Sequence, residues 1–323
     1  MQNMSEPIGF CVVGAGAIAE RHLQAYHELG GIRPRWVVSQ PVDSAQEFAE
    51  RWKFSNIDSS IEPALQDPDV KLVLIASPSP LHAEHAIQAI RAGKDVIVEI
   101  PVALSWYDAQ NVSQIAKDHG RRVWVCHTLR STPAMRLVRN LVREGRLHLT
   151  HIAGFFGIPR RRNQGMGGVG IRAWIDNLLW HHGCHQIDAS LWMLGMPAIE
   201  RVVALFGPDH PKFGMTLDVG VQMIAAGGAL ITHALSYNVE QPVWQLQFIG
   251  HEDTLTFHNG RLTNEAGDEL VPEKLNDLSV QNRELLHAFR TQEASEYDLA
   301  SILPTMEILG RAQQSAENKG NNR

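Results

Sequence analysis

Three histidines, a cysteine and an aspartate crowd into eight consecutive residues, His181-His182-Gly183-Cys184-His185-Gln186-Ile187-Asp188. Imidazole titrates near neutral pH, so each histidine is a candidate proton acceptor or metal ligand. His181 and His185 stand four residues apart, and on a helix they share one face, as two ligands of one metal ion would. No glutamate lies between them as in a zincin. No third ligand is offered beyond Cys184 or Asp188, so no metal is expected. His185 reads either as a proton acceptor or as a half-buried histidine packed beside Leu191. Asp188, one turn on, either orients that ring or is a helix-surface carboxylate. His182 points elsewhere on the helix.

A second constellation opens the chain. Ile8–Val13 is an apolar run, followed at once by Gly14-Ala15-Gly16-Ala17-Ile18-Ala19 in the spacing G-x-G-x-x-A. Gly14 suits a tight turn, Gly16 lets backbone approach a pyrophosphate, and Ala19 lets a helix pack closely on its strand. The N–H groups and positive dipole end of that helix, at Ala17 and Ile18, favour an anionic diphosphate. The alternative is a purely structural glycine turn. Dinucleotide binding is the expectation, because further strand–helix units follow.

The densest positive cluster is Arg160-Arg161-Arg162, with Arg172 beyond a glycine-rich stretch. Paired arginines bind carboxylates in bidentate fashion. The competing reading is a solvated basic loop. Trp174, Trp180 and Trp192 either wall a planar ring or pack in the core.

These groups need a scaffold, and the chain spells one out. Strands are expected at 35–39, 71–76, 95–99 and 122–126, and helices near 43–53, 80–92 and 106–119. Alternation of this kind predicts an α/β fold with a doubly wound parallel sheet, the Rossmann type. Beyond about residue 147, strand candidates at 149–155, 200–205, 218–224, 229–237 and 244–249 succeed one another with few helices. That predicts a second α/β domain with an open, mainly antiparallel sheet. Helices at 278–290 and 302–315 close the chain, and the polar tail after Ala316 is expected to fray. The domains are placed at 1–127 and 128–323, with the closing helices able to pack back on the first.

The chain has 323 residues, 44% apolar and 20% charged, as in ordinary globular proteins. A net charge of −6 with no long basic run to offset it argues against nucleic-acid binding. Three scattered cysteines do not make a disulfide framework. No signal peptide and no long apolar run is seen, so a cytoplasmic protein without membrane contact is expected.

The cofactor is read at the end of the second strand. An acidic residue there would bind the ribose hydroxyls of NAD and repel the extra phosphate of NADP. Ser39 and Gln40 stand there instead, so NADP is expected, with NAD possible. Two further segments, Ser77-Pro78-Ser79-Pro80-Leu81-His82 and Glu99-Ile100-Pro101, each follow a strand and fall at the carboxyl edge where ligands bind.

The glycine turn with His22, the Ser77-Pro78…His82 segment, Glu99-x-Pro101 and the closing H-x-x-D of His185 and Asp188 together resemble the Gfo/Idh/MocA oxidoreductases. The resemblance runs nearly the full length. It implies a Rossmann domain followed by an α/β domain whose broad sheet face forms homodimers or homotetramers. It implies that Gly14, Gly16, Ala17, Ile18, Ser39, Gln40, Ser77, Pro78, His82, Glu99 and Pro101 line the cofactor. It also makes His185 the catalytic base, with Asp188 and His181 beside it. Most members carry a lysine where this chain has Ile100, and an acidic residue where it has His181. A branch sharing both changes, the 4-carboxy-2-hydroxymuconate semialdehyde dehydrogenases, resembles this chain at Ser105-Trp106, His127-Thr128, Trp174-Ile175-Asp176 and Gly207-Pro208. The chain departs from that branch at Leu129-Arg130-Ser131-Thr132-Pro133 and at Tyr237-Asn238-Val239-Glu240.

That branch implies a small carboxylate substrate. The semialdehyde closes to a cyclic hemiacetal whose hydroxyl is more acidic than a sugar alcohol, so one histidine base suffices. Substrate contacts are expected from His127, Arg130, Arg160, Arg161, Arg162, Arg172, Trp174 and His182. Two other readings stay open: a sugar, inositol or polyol dehydrogenase, and a non-catalytic NAD(P)-binding regulator.

Overall fold

The computed structural model describes residues 6–160, 177–271 and 277–320. Their contacts divide the chain into two units, residues 1–128 with 276–303, and residues 129–275 with 304–323. The first of the three breaks follows Thr128, and the third falls inside the last helix, beside Pro304.

In the first unit the strands are β1 (Ile8–Val13), β2 (Ile32–Val38), β3 (Asn56–Asp58), β4 (Leu72–Ile75), β5 (Asp95–Val98) and β6 (Val123–Val125). They pair in parallel in the order β3-β2-β1-β4-β5-β6. The connecting helices are α1 (Ala17–Leu29), α2 (Val42–Trp52), α3 (Glu62–Gln66), α4 (His82–Arg91) and α5 (Trp106–Asp118). β1, β4 and β5 are buried along their whole length, which is why they read as continuous apolar runs. Phe10, Val12, Leu72 and Leu74 build one core cluster with Leu23, Tyr26 and Phe48. The order reverses between β1 and β4. A doubly wound sheet opens its ligand crevice at that switch point, outside the carboxyl ends of the strands.

The second unit opens with α6 (Pro133–Arg143), which carries proline at its first position, where the missing N–H costs nothing. β7 (Leu149–Gly157) and α7 (Cys184–Met193) follow. After them come β8 (Ile199–Phe206), the short pair β9 (Asp209–His210) and β10 (Met215–Thr216), β11 (Asp218–Ala225), β12 (Leu230–Ser236), β13 (Val243–Gly250), β14 (Thr254–His258) and β15 (Arg261–Thr263). Seven strands form one sheet in the order β15-β14-β13-β7-β12-β11-β8. Only β12 and β7 pair in parallel. One face is buried through Ile152, Val221, Met223, Ile231, Leu235, Leu246 and Phe248. α7 lies on that side, tied by Ser190 Oγ to His233 Nε2 of β12 at 2.9 Å.

The closing helices are α8 (Asp277–Thr291) and α9 (Leu299–Gly320). α8 packs on α1 in the first unit, and Leu285, Leu286 and Phe289 join its core. The expected fraying after Ala316 is corrected: α9 continues to Gly320. Gln313 bonds Glu317 at 2.8 Å across one turn, the spacing that supports a polar helix end. No helix of the described residues is long and apolar enough to cross a membrane.

Candidate active site

At the crevice of the first unit, Gly14 has φ +104, and a Cβ on it would lie 2.4 Å from the Ala76 carbonyl oxygen. No other residue fits there without moving backbone. Its N–H donates to Val38 O at 2.7 Å, which draws the ends of β1, β2 and β4 together. Gly16 differs. It is the N-cap of α1 in extended conformation, and a Cβ there would meet nothing within 4 Å. The space beside Gly16 and Ala17 is open, and Ala19 is buried beneath. An exposed helix N-terminus fronted by an unfilled glycine fits a dinucleotide diphosphate.

Beside it, the turn after β2 carries no carboxylate of its own. Ser39 Oγ lies 3.0 Å from Ser44 Oγ, and Gln40 Nε2 donates to Ser59 O at 3.0 Å. Arg35 turns away, held by Asp67 at 2.9 Å.

The two loops after β4 and β5 are tied together by His82. Its Nδ1 lies 2.7 Å from Pro101 O and its Nε2 2.8 Å from Ser77 O. Ser77 Oγ meets His85 Nδ1 at 2.9 Å, and Pro78 starts the turn into α4. Glu99 Oε1 takes His22 Nε2 at 2.6 Å, and His22 Nδ1 lies 3.0 Å from Asn282 Oδ1. Sequence reasoning placed His82 and Glu99 against the cofactor, and in the structure both bond within the loops at the carboxyl edge of the sheet. Cys126 joins this cluster, and the ligating atoms of His22, Glu99 and Cys126 lie within 4.8 Å of one another. Burial, then the Glu99 carboxylate, pushes the Cys126 thiol far up. Ile100 is 3% exposed and offers no polar group. His127, at the end of β6, is buried.

In the second unit the histidine run is not a plain α-helix. Leu179–Gly183 forms a π-helical turn that leads into α7. Asn177 Oδ1 accepts from the N–H of Leu179 and of Trp180 at 3.0 and 3.2 Å. At Gly183 the turn lies against Leu235 of β12, whose methyl would be in ordinary contact, at 3.5 Å, with an added Cβ. Turns of this kind recur at functional sites.

His181 and His185 are half-exposed, while His182 is 8% exposed. The His182 ring stacks on His185 at 6.5 Å, meets His181 at 4.6 Å edge-on, and is walled by Phe156 at 4.6 Å and Tyr237 at 5.5 Å. Burial drives its pKa well below the ordinary 6.5, and His181, His185 and Arg160 add to the effect. His182 is therefore a neutral ring, and the half-exposed His185 beside it has access to a proton. Arg160 is buried, with its guanidinium 5.8 Å from the Tyr237 ring. Arg161, Arg162, Arg172 and Trp174 lie outside the described residues. Of the other tryptophans, Trp180 and Trp192 are both buried; Trp180 bonds Gln313 of α9, and Arg139 of α6 stacks over Trp192.

Asp188 is 0% exposed, so it is not a surface carboxylate. Arg130 Nε and Nη2 donate to its two oxygens at 2.8 and 2.6 Å, and Thr305 Oγ1 donates at 2.9 Å. Arg130, expected at the substrate, is 1% exposed with its fork on this carboxylate. Sequence reasoning missed the pairing, because spacing does not say which carboxylate an arginine meets. It missed Thr305 as well, since nothing marks a threonine in a helix as a partner.

The model of an oxidoreductase family with an NAD-binding Rossmann fold matches residues 8–127, and that of a C-terminal domain of bacterial oxidoreductases matches residues 133–271. The chain is 30% identical to a 4-carboxy-2-hydroxymuconate-6-semialdehyde dehydrogenase of Sphingobium sp., over 96% of this chain and 99% of that one. It is 27% identical to a levoglucosan dehydrogenase of Pseudarthrobacter phenanthrenivorans, over 65% of this chain and 56% of that one. Among solved structures, GenD2 from gentamicin A biosynthesis, in complex with NAD, superposes with a TM-score of 0.83 at 21% identity, covering 98% of this chain and 96% of that one.

Proposed function

The chain belongs to the Gfo/Idh/MocA family of NAD(P)-dependent oxidoreductases, and from that premise we propose that it oxidises a small cyclic hemiacetal bearing carboxylates. The nearest named chemistry is 4-carboxy-2-hydroxymuconate-6-semialdehyde to 2-pyrone-4,6-dicarboxylate. The observation that carries this reading is the histidine cluster beside Arg160, in a chain whose Ile100 supplies no second base. The similarity to the Sphingobium dehydrogenase, which extends over nearly both chains, supports it.

The chemistry divides between cofactor and protein. A nicotinamide dinucleotide held at the Gly14–Ala19 turn would supply the hydride acceptor for the hemiacetal carbon. His185 takes the hydroxyl proton as the carbon–oxygen double bond of the lactone forms, and releases it to water afterwards. The neutral His182 behind it offers a hydrogen bond without adding charge, and the guanidinium of Arg160 nearby has the planar donor geometry that suits a carboxylate. In this reading NADP is preferred over NAD, because Ser39 and Gln40 put no carboxylate at the 2′-position.

A substrate panel tests the proposal. Semialdehyde hemiacetals with two carboxylates, levoglucosan, aldoses and inositols are each assayed with NADP and NAD by absorbance of the reduced cofactor. The diacid hemiacetal with NADP is expected to give the highest kcat/KM. Higher kcat/KM on a neutral sugar would replace the substrate class, and tighter binding of NAD would replace the cofactor preference. No turnover on any member would favour a non-catalytic cofactor-binding protein.

A further inference from the structure

Ser77 and His85 form a pair of their own, outside the histidine cluster of α7. Ser77 follows β4 at the switch point of the parallel sheet. Its backbone nitrogen lies 2.8 Å from where a Cβ on Gly14 would stand, so it borders the glycine turn. Strands β3, β2, β1 and β4 succeed one another across the sheet. A dinucleotide laid over that edge has its adenosine ribose at the end of β2 and its diphosphate at the turn after β1. The next group along it, the nicotinamide ribose, then falls over the end of β4. Here Ser77 Oγ lies 2.9 Å from His85 Nδ1, one turn into α4. The Ser77 carbonyl is met instead by His82 Nε2 at 2.8 Å. One histidine anchors the backbone, and the other meets the hydroxyl.

We propose that His85 is a positioning residue for the cofactor: its Nδ1 accepts the Ser77 O–H, so that Ser77 turns its lone pairs to a hydroxyl of the nicotinamide ribose. The proposal rests on a dinucleotide being held at this turn and is independent of the substrate.

A serine hydroxyl has one proton and two lone pairs, and it rotates to suit its surroundings. Without His85 it is free to point its proton at the crevice, where a ribose O–H needs an acceptor. A neutral imidazole with its proton on Nε2 removes that choice. Both side chains are half-buried, where a hydrogen bond is stronger than in open water. Burial also lowers the His85 pKa, which keeps the ring neutral at neutral pH. Glu84 on the same helix opposes that shift, His82 adds to it, and Glu62 of α3 opposes it, each by less than burial. Once protonated, the ring must donate from Nδ1. The serine proton then swings away from it, and the acceptor offered to the ribose is lost.

Calorimetric titration of the full-length chain with NADP, NAD, ADP-ribose and ADP tests this. Ser77→Ala is expected to weaken the ligands that carry the second ribose by roughly threefold to tenfold, the range of one hydrogen bond, and to leave ADP unchanged. His85→Leu should cost about as much by itself and nothing further in the Ser77→Ala background. The advantage of wild type over Ser77→Ala should be full near neutral pH and fade as pH falls through the His85 pKa. Comparing these two proteins cancels the direct attraction of a charged ring for the anionic cofactor. His85→Asn supplies an acceptor that does not titrate, so it should regain the affinity lost in His85→Leu and hold the Ser77 advantage at acid pH. Additive losses in the double variant, a wild-type advantage that does not change with pH, or an equal loss for ADP would each overturn the proposal. If His85→Leu does not fold, an advantage that still fades in the His85→Asn background overturns it. A wild-type chain that binds none of these ligands removes the cofactor reading as well, whereas normal binding with uncoupled losses removes only this inference.

Discussion

At the scale of single residues, His182 and His185 show how burial sorts neighbouring imidazoles. They stack at 6.5 Å, yet His182 is driven far below the usual histidine range by burial, while His185 keeps partial access to solvent. A group that cannot charge makes a hydrogen-bonding wall, and a group that can exchange its proton makes a base. His185→Ala is therefore expected to lower kcat by roughly 10²–10⁴-fold, the range for general acid–base catalysis, with cofactor affinity nearly unchanged. Stopped-flow turnover and a fluorescence titration of the cofactor check the two halves. A variant that turns over at near wild-type rate would return His185 to a packing role. The sequence carried the histidines and their spacing. It did not carry their environments, because which ring is buried depends on Phe156 and Tyr237, far away in the chain. Arg130 shows the same limit, since only the fold brings it to Asp188, 58 residues on.

At the scale of elements, what was legible is what a local pattern dictates. β1, β4 and β5 are buried on both faces, so their apolar runs announce them, and the alternation with helices announces the parallel sheet. β14 and β15 are short, at 5 and 3 residues, and too brief for periodicity to show. The π-helical turn is unreadable for another reason: the Asn177 side chain that accepts from two of its first N–H groups leaves no periodic pattern. The glycine turn illustrates how a motif combines two unlike requirements. Gly14 is required by the protein, through its φ of +104 and the Ala76 carbonyl. Gly16 is required by nothing in the protein, and its place is explained by what must approach α1. Gly14→Ala is thus expected to cost at least about 1–2 kcal/mol from backbone strain alone, lowering Tm by several degrees. Gly16→Val should leave Tm within about a degree of wild type, yet weaken NADP binding at least about tenfold, some 1.4 kcal/mol. Thermal melts and cofactor titrations of the two variants check this, and a Gly16→Val protein that binds NADP normally would remove the diphosphate from that position.

At the scale of the whole molecule, the sheet of the second unit poses a question of its own. One face is filled by core residues. The other presents Ala153, Phe155, Val203, Leu205, Gly220, Gln222, Thr232, Ala234, Gln245 and Gln247 across five adjacent strands. None of these ten is Asp, Glu, Lys or Arg, and Leu205 is 59% exposed. A sheet face of this width with an uncharged, partly apolar centre, and Arg201 of β8 on the same side at its rim, is unusual for a surface that stays in water. The family resemblance implies an oligomerisation face on this sheet, and a second copy of the same face is the proposed occupant. Two copies related by a twofold axis would bring each patch onto itself, and face-to-face sheets pack about 10 Å apart with side chains interleaved. Such a contact depends on the centres of both faces being uncharged, because every substitution appears twice. Leu205→Arg with Gln222→Arg would set four cations in one interface, a like-charge juxtaposition costing several kcal/mol. The wild-type chain is expected to elute as a dimer or tetramer in size-exclusion chromatography with light scattering, and the double variant as a smaller species with unchanged circular dichroism. A wild-type monomer at micromolar concentration, or a double variant of unaltered mass, would show that this face has another use.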